Sequence, residues 1–318
     1  MREKYMDNSP IISIVLCTYN NADSLAITLD QIAQQTDIAD GSVEVILVDN
    51  NSPDHTATVA ERYQRQSPIP LRYFFEGRQG LSYARNTGVD NAAGRYILFT
   101  DDDAELPANW VSGYLKKIAE LQPDCLYSKI EVIWDRPKPW WYTNQYQAFF
   151  VILDYGDEVL KVEDISREFF GKNFCMRKEL IAALGGFDPA LGRNGAKLIA
   201  GEETLLYRRM VEQRKSIFYF PDSPVGHRLK EREYTEENIR KLFIDSSYSS
   251  YYMARLTARK KVLGKPLRVL LDNLQLLIVS IGNLGISWLR KDRQAQFFHR
   301  INSLRSLMLI KLWITSSQ

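Results

Sequence analysis

The sequence predicts an α/β protein: a mostly parallel sheet flanked by helices, with a helical C-terminal appendage. Two observations lead there. Through residue 121, short apolar runs alternate with stretches of helical period, which implies right-handed crossovers between parallel strands. From Thr235 the pattern is helical almost to the end. The composition, 45% apolar and 25% charged in 318 residues, is that of a folded globular chain and excludes wholesale disorder or collagen-like repetition.

Each element has its own warrant. Residues 11–17 (IISIVLC) are an unbroken apolar run of the kind buried on both faces of a parallel sheet. The helix that follows is read from Leu25, Ile27, Leu29 and Ile32. Residues 43–49 (VEVILVD) are the second strand and 54–65 a helix, with Ser52 or Asp54 able to cap it. A third strand at 71–75 precedes a helix at 81–91. A fourth at 95–100 (RYILFT) precedes a helix at 107–121 that opens on Pro107. Residues 126–133 predict a further strand, and 134–141 (WDRPKPWW) no regular structure. A strand at 169–176 and a short helix at 178–184, stopped by Gly185-Gly186, come next. A helix at 204–214 and a last strand at 216–220, ending before Pro221, complete this part.

The formal net charge of +2 is unevenly spread. From Tyr251 onward there are 12 Lys/Arg and two acids, against 29 and 37 in the first 250 residues. An acidic body with a basic, aliphatic-rich tail does not suit a nucleic acid; it directs the tail toward an anionic membrane surface. Cys17, Cys125 and Cys175 have no CxxC spacing, so reduced core thiols are expected rather than a disulfide framework or a zinc site. The opening MREKYMDNSP lacks an apolar h-region; no signal peptide is expected, and a cytoplasmic site of action follows.

In an open parallel sheet, ligands bind beyond the carboxyl ends of the strands, where the strand order reverses. Three polar clusters fall at such ends: Thr18-Tyr19-Asn20-Asn21, Asp49-Asn50-Asn51-Ser52 and Asp101-Asp102-Asp103. One such cluster reads as an ordinary turn; three facing one crevice read as a binding site. The aspartate triplet is the most informative. Adjacent carboxylates repel and raise each other's pKa. In an extended segment, residues 101 and 103 project to the same side as oxygen ligands for Mg²⁺ or Mn²⁺. A helix start explains one aspartate, not three. Residues 17–22 contain no glycine, and neither G-x-G-x-x-G nor a P-loop follows the first strand. A nucleotide is therefore expected to sit with its base and ribose near Asp49 and its diphosphate on the metal.

Taken in order, Ile14-Val-Leu-Cys-Thr-Tyr-Asn20, Val48-Asp-Asn-Asn-Ser52, Gly80-Leu-Ser-Tyr-Ala-Arg-Asn86 and Gly94-Arg-Tyr-Ile-Leu-Phe-Thr-Asp-Asp-Asp103 resemble family 2 glycosyltransferases. Gly171-Lys-Asn-Phe174, Gly185-Gly-Phe-Asp188 and Gly201-Glu-Glu203 continue the match, which spans residues 10–227. The resemblance implies a GT-A fold over residues 1–234, a nucleotide-diphosphate sugar donor, a divalent metal and inversion at the anomeric carbon. UDP is the first expectation for the donor, with GDP or dTDP as alternatives. It places Thr18, Tyr19, Asn20, Asp49 and Asn50 around the nucleotide, Arg85 near base or diphosphate, Asp101 near ribose or metal, and Asp102 near the ribose. Asp103, Asp101 and His227 become the metal ligands. Glu203 stands where the family carries the second acid of Glu-Asp, its catalytic base, and is one methylene longer than the aspartate there; Glu202 stays open as the base. Arg85 has a second reading, a helix-surface arginine paired with an acid. Asn173 is expected to orient sugar or acceptor, and Trp140 and Trp141 to stack on the acceptor. A glycan- or sugar-nucleotide-binding module and a sugar nucleotidyltransferase are the competing classes. Retention of the acids opposes the first, and the absence of a glycine-rich basic loop opposes the second.

The tail, 235–318, carries residues 273–289 without a charge. Those 17 residues span about 25 Å as a helix, short of the roughly 30 Å hydrocarbon core. The segment 294–313 sets Phe297, Ile301, Leu304 and Met308 on one stripe, as an interfacial helix would. Peripheral membrane contact, a cap on the catalytic domain and a dimer face all remain open from sequence; a lipid-linked or other glycan acceptor suits the first.

Overall fold

The computed structural model describes residues 9–192, 200–258 and 260–316. Four strands, β1 (Ile12–Thr18), β2 (Val43–Asp49), β3 (Leu71–Phe75) and β4 (Tyr96–Asp101), pair in parallel in the order β3-β2-β1-β4. Their crossovers are α1 (Ala22–Ala33), α2 (Thr56–Gln66) and α3 (Leu81–Asn91). The chain then forms β5 (Ala104–Glu105), α4 (Trp110–Leu121), β6 (Cys125–Ile133), β7 (Leu160–Lys161) and β8 (Phe174–Arg177). Next come α5 (Lys178–Ala183), α6 (Glu202–Glu212) and β9 (Ile217–Arg228). From β4 the sheet continues β8-β6-β9-β5, with β7 also on β9. β8 runs antiparallel to both neighbours, and β5 and β7 run antiparallel to β9.

Burial follows the pleat. In β1, Ile12, Ile14 and Leu16 enter one apolar cluster and Val15 the other, as expected of a strand covered on both faces. Residues of α1, α2 and α4 fill the first cluster, and those of α3, α5 and α6 the second. In α1 the buried face is Leu25, Leu29 and Ile32, whereas Ile27 is exposed because it falls off the 3.6-residue period. Gly88 lets α3 lie directly on β1: a Cβ there would stand 2.5 Å from Cγ1 of Val15.

Two strands differ from the sequence expectation. The expected strand at 169–176 begins at Phe174, and residues 169–173 form a loop. The expected last strand does not stop at Pro221; β9 runs on to Arg228. Pairing to β6 jumps from Ser128–Phe220 to Ile130–Val225, so Pro221 and Pro224 sit in an irregular stretch where no ladder donor is required of them.

The chain divides into two compact units. The first holds the sheet. The second comprises Trp134–Phe150, the described residues Ala200 and Gly201, and the residues from Leu229 onward: the 3-10 turns Asn144–Phe150 and Glu231–Tyr234, α7 (Glu236–Thr257), the hairpin β10 (Lys261–Val262) and β11 (Lys265–Pro266), α8 (Leu267–Leu289) and α9 (Arg293–Thr315). Within it α8 packs along α9, and α9 packs on α7. The stripe expected to face a membrane is partly internal, since Phe297 and Ile301 are buried. Much of the exposed apolar surface lies on α8, where Ile278 is 72% and Leu289 87% exposed; Leu304, Leu307 and Ile314 of α9 are exposed as well.

Candidate active site

The strand order reverses between β2-β1 and β4, so the carboxyl ends of β1 and β4 open the crevice. Register places Thr18 beside Asp49 and Cys17 beside Asp101. The three polar clusters therefore meet here, as the sequence implies. Their side chains do different work.

Asp102 is held by the end of β1: Thr18 Oγ1 donates to its Oδ2 at 2.6 Å and Asn21 Nδ2 to its Oδ1 at 2.8 Å. Burial pushes its carboxyl up to about 6, joined by the charges of Asp103 and Asp101 and opposed by those two hydrogen bonds. Asp101 and Asp103 turn to Lys172, whose Nζ lies 3.2 Å from Asp101 Oδ2 and 2.6 Å from Asp103 Oδ1. Lys172 is only 2% exposed. Burial alone would lower its pKa, but the two aspartates outweigh that and hold it above the ordinary lysine value. Sequence reasoning missed Lys172, although it quoted the Gly171-Lys-Asn173 segment that carries it.

The metal expectation meets this cluster directly. Among the described residues, no set of three or more His, Cys, Asp or Glu side chains converges as a preformed metal site. Asp101 and Asp103 are the available oxygen donors, and β5–β9 pairing sets His227 opposite Ala104, next to Asp103. Two carboxylates and an imidazole suit Mn²⁺ or Mg²⁺ completed by phosphate oxygens. The donor types fit such an ion, but the three side chains do not converge, and the Lys172 ammonium lies between the two carboxylates.

A second acid pair stands at the start of α6. Arg85, buried on α3, bonds Glu202 Oε1 at 2.6 Å and lies 3.9 Å from Glu203 Oε2. Gly171 makes room for it, since a Cβ there would be 2.2 Å from Nη2. Of the two readings for Arg85, the acid-paired one describes its position, though in the interior rather than on a helix surface. The guanidinium also feels the charge of Asp101, which links the two acid groups. Glu203 differs from Glu202: its Oε2 is buried without a hydrogen-bond partner. Burial, then the charge of Glu202, push its carboxyl up to about 8, with Arg85 pulling the other way.

The nucleotide wall is mixed. Asp49 is buried and accepts from Ser52 N–H at 2.8 Å and Tyr73 O–H at 2.9 Å. Tyr19 and Asn20 are exposed, and Asn20 adopts a left-handed φ of 50°. Asn50 does not face a ligand. Its amide donates to the carbonyls of Glu76 and Arg78 and accepts from Gly80 N–H, pinning the loop before α3.

Two acceptor-side expectations are corrected. Asn173 is 1% exposed. Its Oδ1 accepts from Trp110 Nε1 and Tyr114 O–H at 2.9 Å each, and its Nδ2 donates to the carbonyls of Lys129 and Ser223. Both carbonyls lie in the β6–β9 irregularity, so Asn173 satisfies backbone groups that the ladder leaves open. Trp141 is buried in the second unit against Tyr146, Phe150 and Phe297 and presents no stacking face. Trp140, also in that unit, is 41% exposed, with the Arg293 guanidinium 4.0 Å from its ring centre.

The sheet topology and the paired acids set out an α/β protein with a crevice at its strand ends, and comparison gives the class. Residues 13–185 match the sequence model of glycosyl transferase family 2, and the chain belongs to that family. It is 25% identical over 228 residues to a glucosyl-dolichyl phosphate glucuronosyltransferase of Haloferax volcanii, covering 69% of this chain and 70% of that protein. In structure it is similar to the mannosyltransferase PcManGT from Pyrobaculum calidifontis in complex with GDP-Man and Mn²⁺, with a TM-score of 0.61 and 20% identity over 97% of this chain and 88% of that one. S. aureus TarS 1-349 in complex with UDP-GlcNAc gives a TM-score of 0.55 at 19% identity, covering 79% and 68%. The fold is the GT-A fold of these glycosyltransferases, and the protein is a glycosyltransferase.

Proposed function

We propose that this glycosyltransferase transfers a sugar, with inversion, from a nucleotide-diphosphate sugar to a hydroxyl of a lipid-linked or other cell-surface glycan. The catalytic domain is assigned to residues 1–234 and a membrane-directed region to 235–318. The observation that carries the reading is Glu203: a buried carboxylate oxygen with no hydrogen-bond partner, next to an Arg85–Glu202 pair that is already matched.

An acceptor hydroxyl is a weak nucleophile near neutral pH and needs a base within reach. Glu203 takes the hydroxyl proton as the acceptor oxygen bonds to the anomeric carbon. The bond from that carbon to the diphosphate breaks on the opposite side, and its electron pair leaves on the phosphate oxygen. Glu202 keeps Arg85 in place. Thr18, Tyr19, Asn20 and Asp49 line the nucleoside, and Asp101, Asp103 and His227 would hold a divalent ion. Such an ion, when bound, stabilises charge on the departing nucleoside diphosphate as a Lewis acid; PcManGT was solved with Mn²⁺. UDP is the first donor base to test, as in TarS with UDP-GlcNAc, and GDP the second, as in PcManGT with GDP-Man. The Haloferax volcanii relative, named for a dolichyl-phosphate sugar, supports a lipid-linked acceptor.

Membrane contact at the cytoplasmic face is assigned to α8. Its mean hydropathy is 1.6 over the most apolar window, 11% of which is buried, and Arg290, Lys291 and Arg293 follow it. The test is incubation of UDP- and GDP-sugars with polyprenyl-phosphate-linked glycans, reading nucleotide release and the product's anomeric configuration by NMR. Inverted product supports the reading; retained configuration, or no release with any donor and acceptor, contradicts it.

A further inference from the structure

We propose that Lys172 is a resident counter-cation of the aspartate cluster, which a divalent ion must displace, so that metal enters only together with a nucleotide diphosphate. This rests on the assignment of Asp101 and Asp103 as donor-site acids made above. The ammonium is 2.6 Å from Asp103 and 3.2 Å from Asp101 and is 2% exposed. It stands between the two carboxylates to which metal binding is assigned, and two cations drawn to the same carboxylates repel. Exchange therefore needs two things: an incoming divalent ion and an anion to receive the displaced ammonium. A diphosphate supplies both missing parts: it carries its own metal ion and offers the displaced ammonium new anionic oxygens.

The backbone under Lys172 supports exchange by the side chain alone. Gly171 on one side accepts from the buried Arg85 at 3.4 Å, and Asn173 on the other is fixed by four hydrogen bonds. The attachment point is anchored, so displacement of the ammonium falls to the side chain.

The experiment is Mn²⁺ titration of the full chain followed by electron paramagnetic resonance, with and without UDP or GDP, for the unmodified protein, Lys172→Gln and Lys172→Arg. Without nucleotide, Lys172→Gln should bind Mn²⁺ at least about tenfold more tightly than the unmodified protein, and Lys172→Arg within about threefold of it. UDP or GDP should tighten Mn²⁺ more in the unmodified protein than in Lys172→Gln. A merely structural lysine predicts lower thermal stability for Lys172→Gln and no gain in Mn²⁺ affinity, and that result overturns the proposal. Should Lys172→Gln fail to fold, the unmodified protein decides by thermal shift. Mn²⁺ alone should leave its Tm in place, and Mn²⁺ with UDP or GDP should raise it; an equal rise from Mn²⁺ alone overturns the proposal. Absence of UDP, GDP and dTDP binding with or without Mn²⁺ rejects the donor-site assignment as well, whereas tight Mn²⁺ binding without nucleotide rejects only the exchange.

Discussion

Replacing Glu202 by Gln separates the two adjacent acids of α6 and gives a signed pH effect. In the native site Arg85 Nη1 is 2.6 Å from Glu202 and 3.9 Å from Glu203. Glu202→Gln removes the negative charge that raises the Glu203 pKa, and Arg85 becomes a partner for Glu203 alone. Both changes lower that pKa from its value of about 8. A drop of one unit, about 1.4 kcal/mol, is a modest response for charges this close and buried. A base must be deprotonated to act, so activity rises as pH climbs through its pKa. At pH 7 a group of pKa about 8 is ionised in roughly one molecule in eleven, and one of pKa about 7 in half, which predicts about a fivefold gain at pH 7. Above about pH 9 the order reverses, because the more acidic carboxylate is the weaker base. Breaking a buried ion pair costs about 3–5 kcal/mol when the partner is left bare; with Glu203 taking up Arg85 the loss should be smaller. The assay is nucleotide release from the donor over about pH 5.5 to 9.5, with thermal melting on the same samples. A rising limb that stays in place or moves to higher pH refutes the assignment, as does loss of transfer at every pH.

Asn173→Ala removes four buried hydrogen bonds, strands two carbonyls, and should destabilise the fold by about 4 kcal/mol in urea denaturation, while donor KM of the folded fraction stays unchanged. Trp141→Ala should destabilise by about 3–5 kcal/mol as a core truncation; Trp140→Ala should lose at most about 1 kcal/mol, its exposed cation–π contact. Chemical denaturation distinguishes this pair. Ile278→Asp, at a 72% exposed position of α8, should leave the melting temperature in place and reduce co-flotation with anionic phospholipid vesicles at least about threefold, as expected for a charge set into an interfacial apolar face.

The order of strands and helices was legible because both periods are strong here. Runs such as IISIVLC and VEVILVD are short and bounded by turn formers, which favours strands covered on two faces, and α3, α4 and α9 appear within a few residues of expectation, whereas α8 starts six residues before the uncharged segment. The crevice was legible for the same reason, since strand ends are where polar residues interrupt apolar runs. Partner choice was not. Asn173 and Asn50 carry the same amide that a ligand site would use, yet each spends it on backbone groups left open by an irregular strand or a loop. Only the fold reveals that demand. Lys172 eluded the sequence because its meaning depends on facing residues 69 and 71 positions away, and β9 ran past Pro221 because a bulge relieves proline of its donor duty. The tail stripe has the expected period but is divided between interior and surface: Phe297 packs on Trp140 and Trp141 and Ile301 is buried, whereas Leu304 is exposed.

The central claim is that Glu203 removes the acceptor proton. Glu203→Gln keeps the size and hydrogen-bonding capacity of the side chain and abolishes its basicity. Side-by-side calorimetry with UDP or the preferred donor and turnover with acceptor should give a donor Kd within about twofold of the unmodified protein and a kcat lower by at least about a hundredfold, the range of a general base. Turnover at the native rate with intact donor binding would contradict the account.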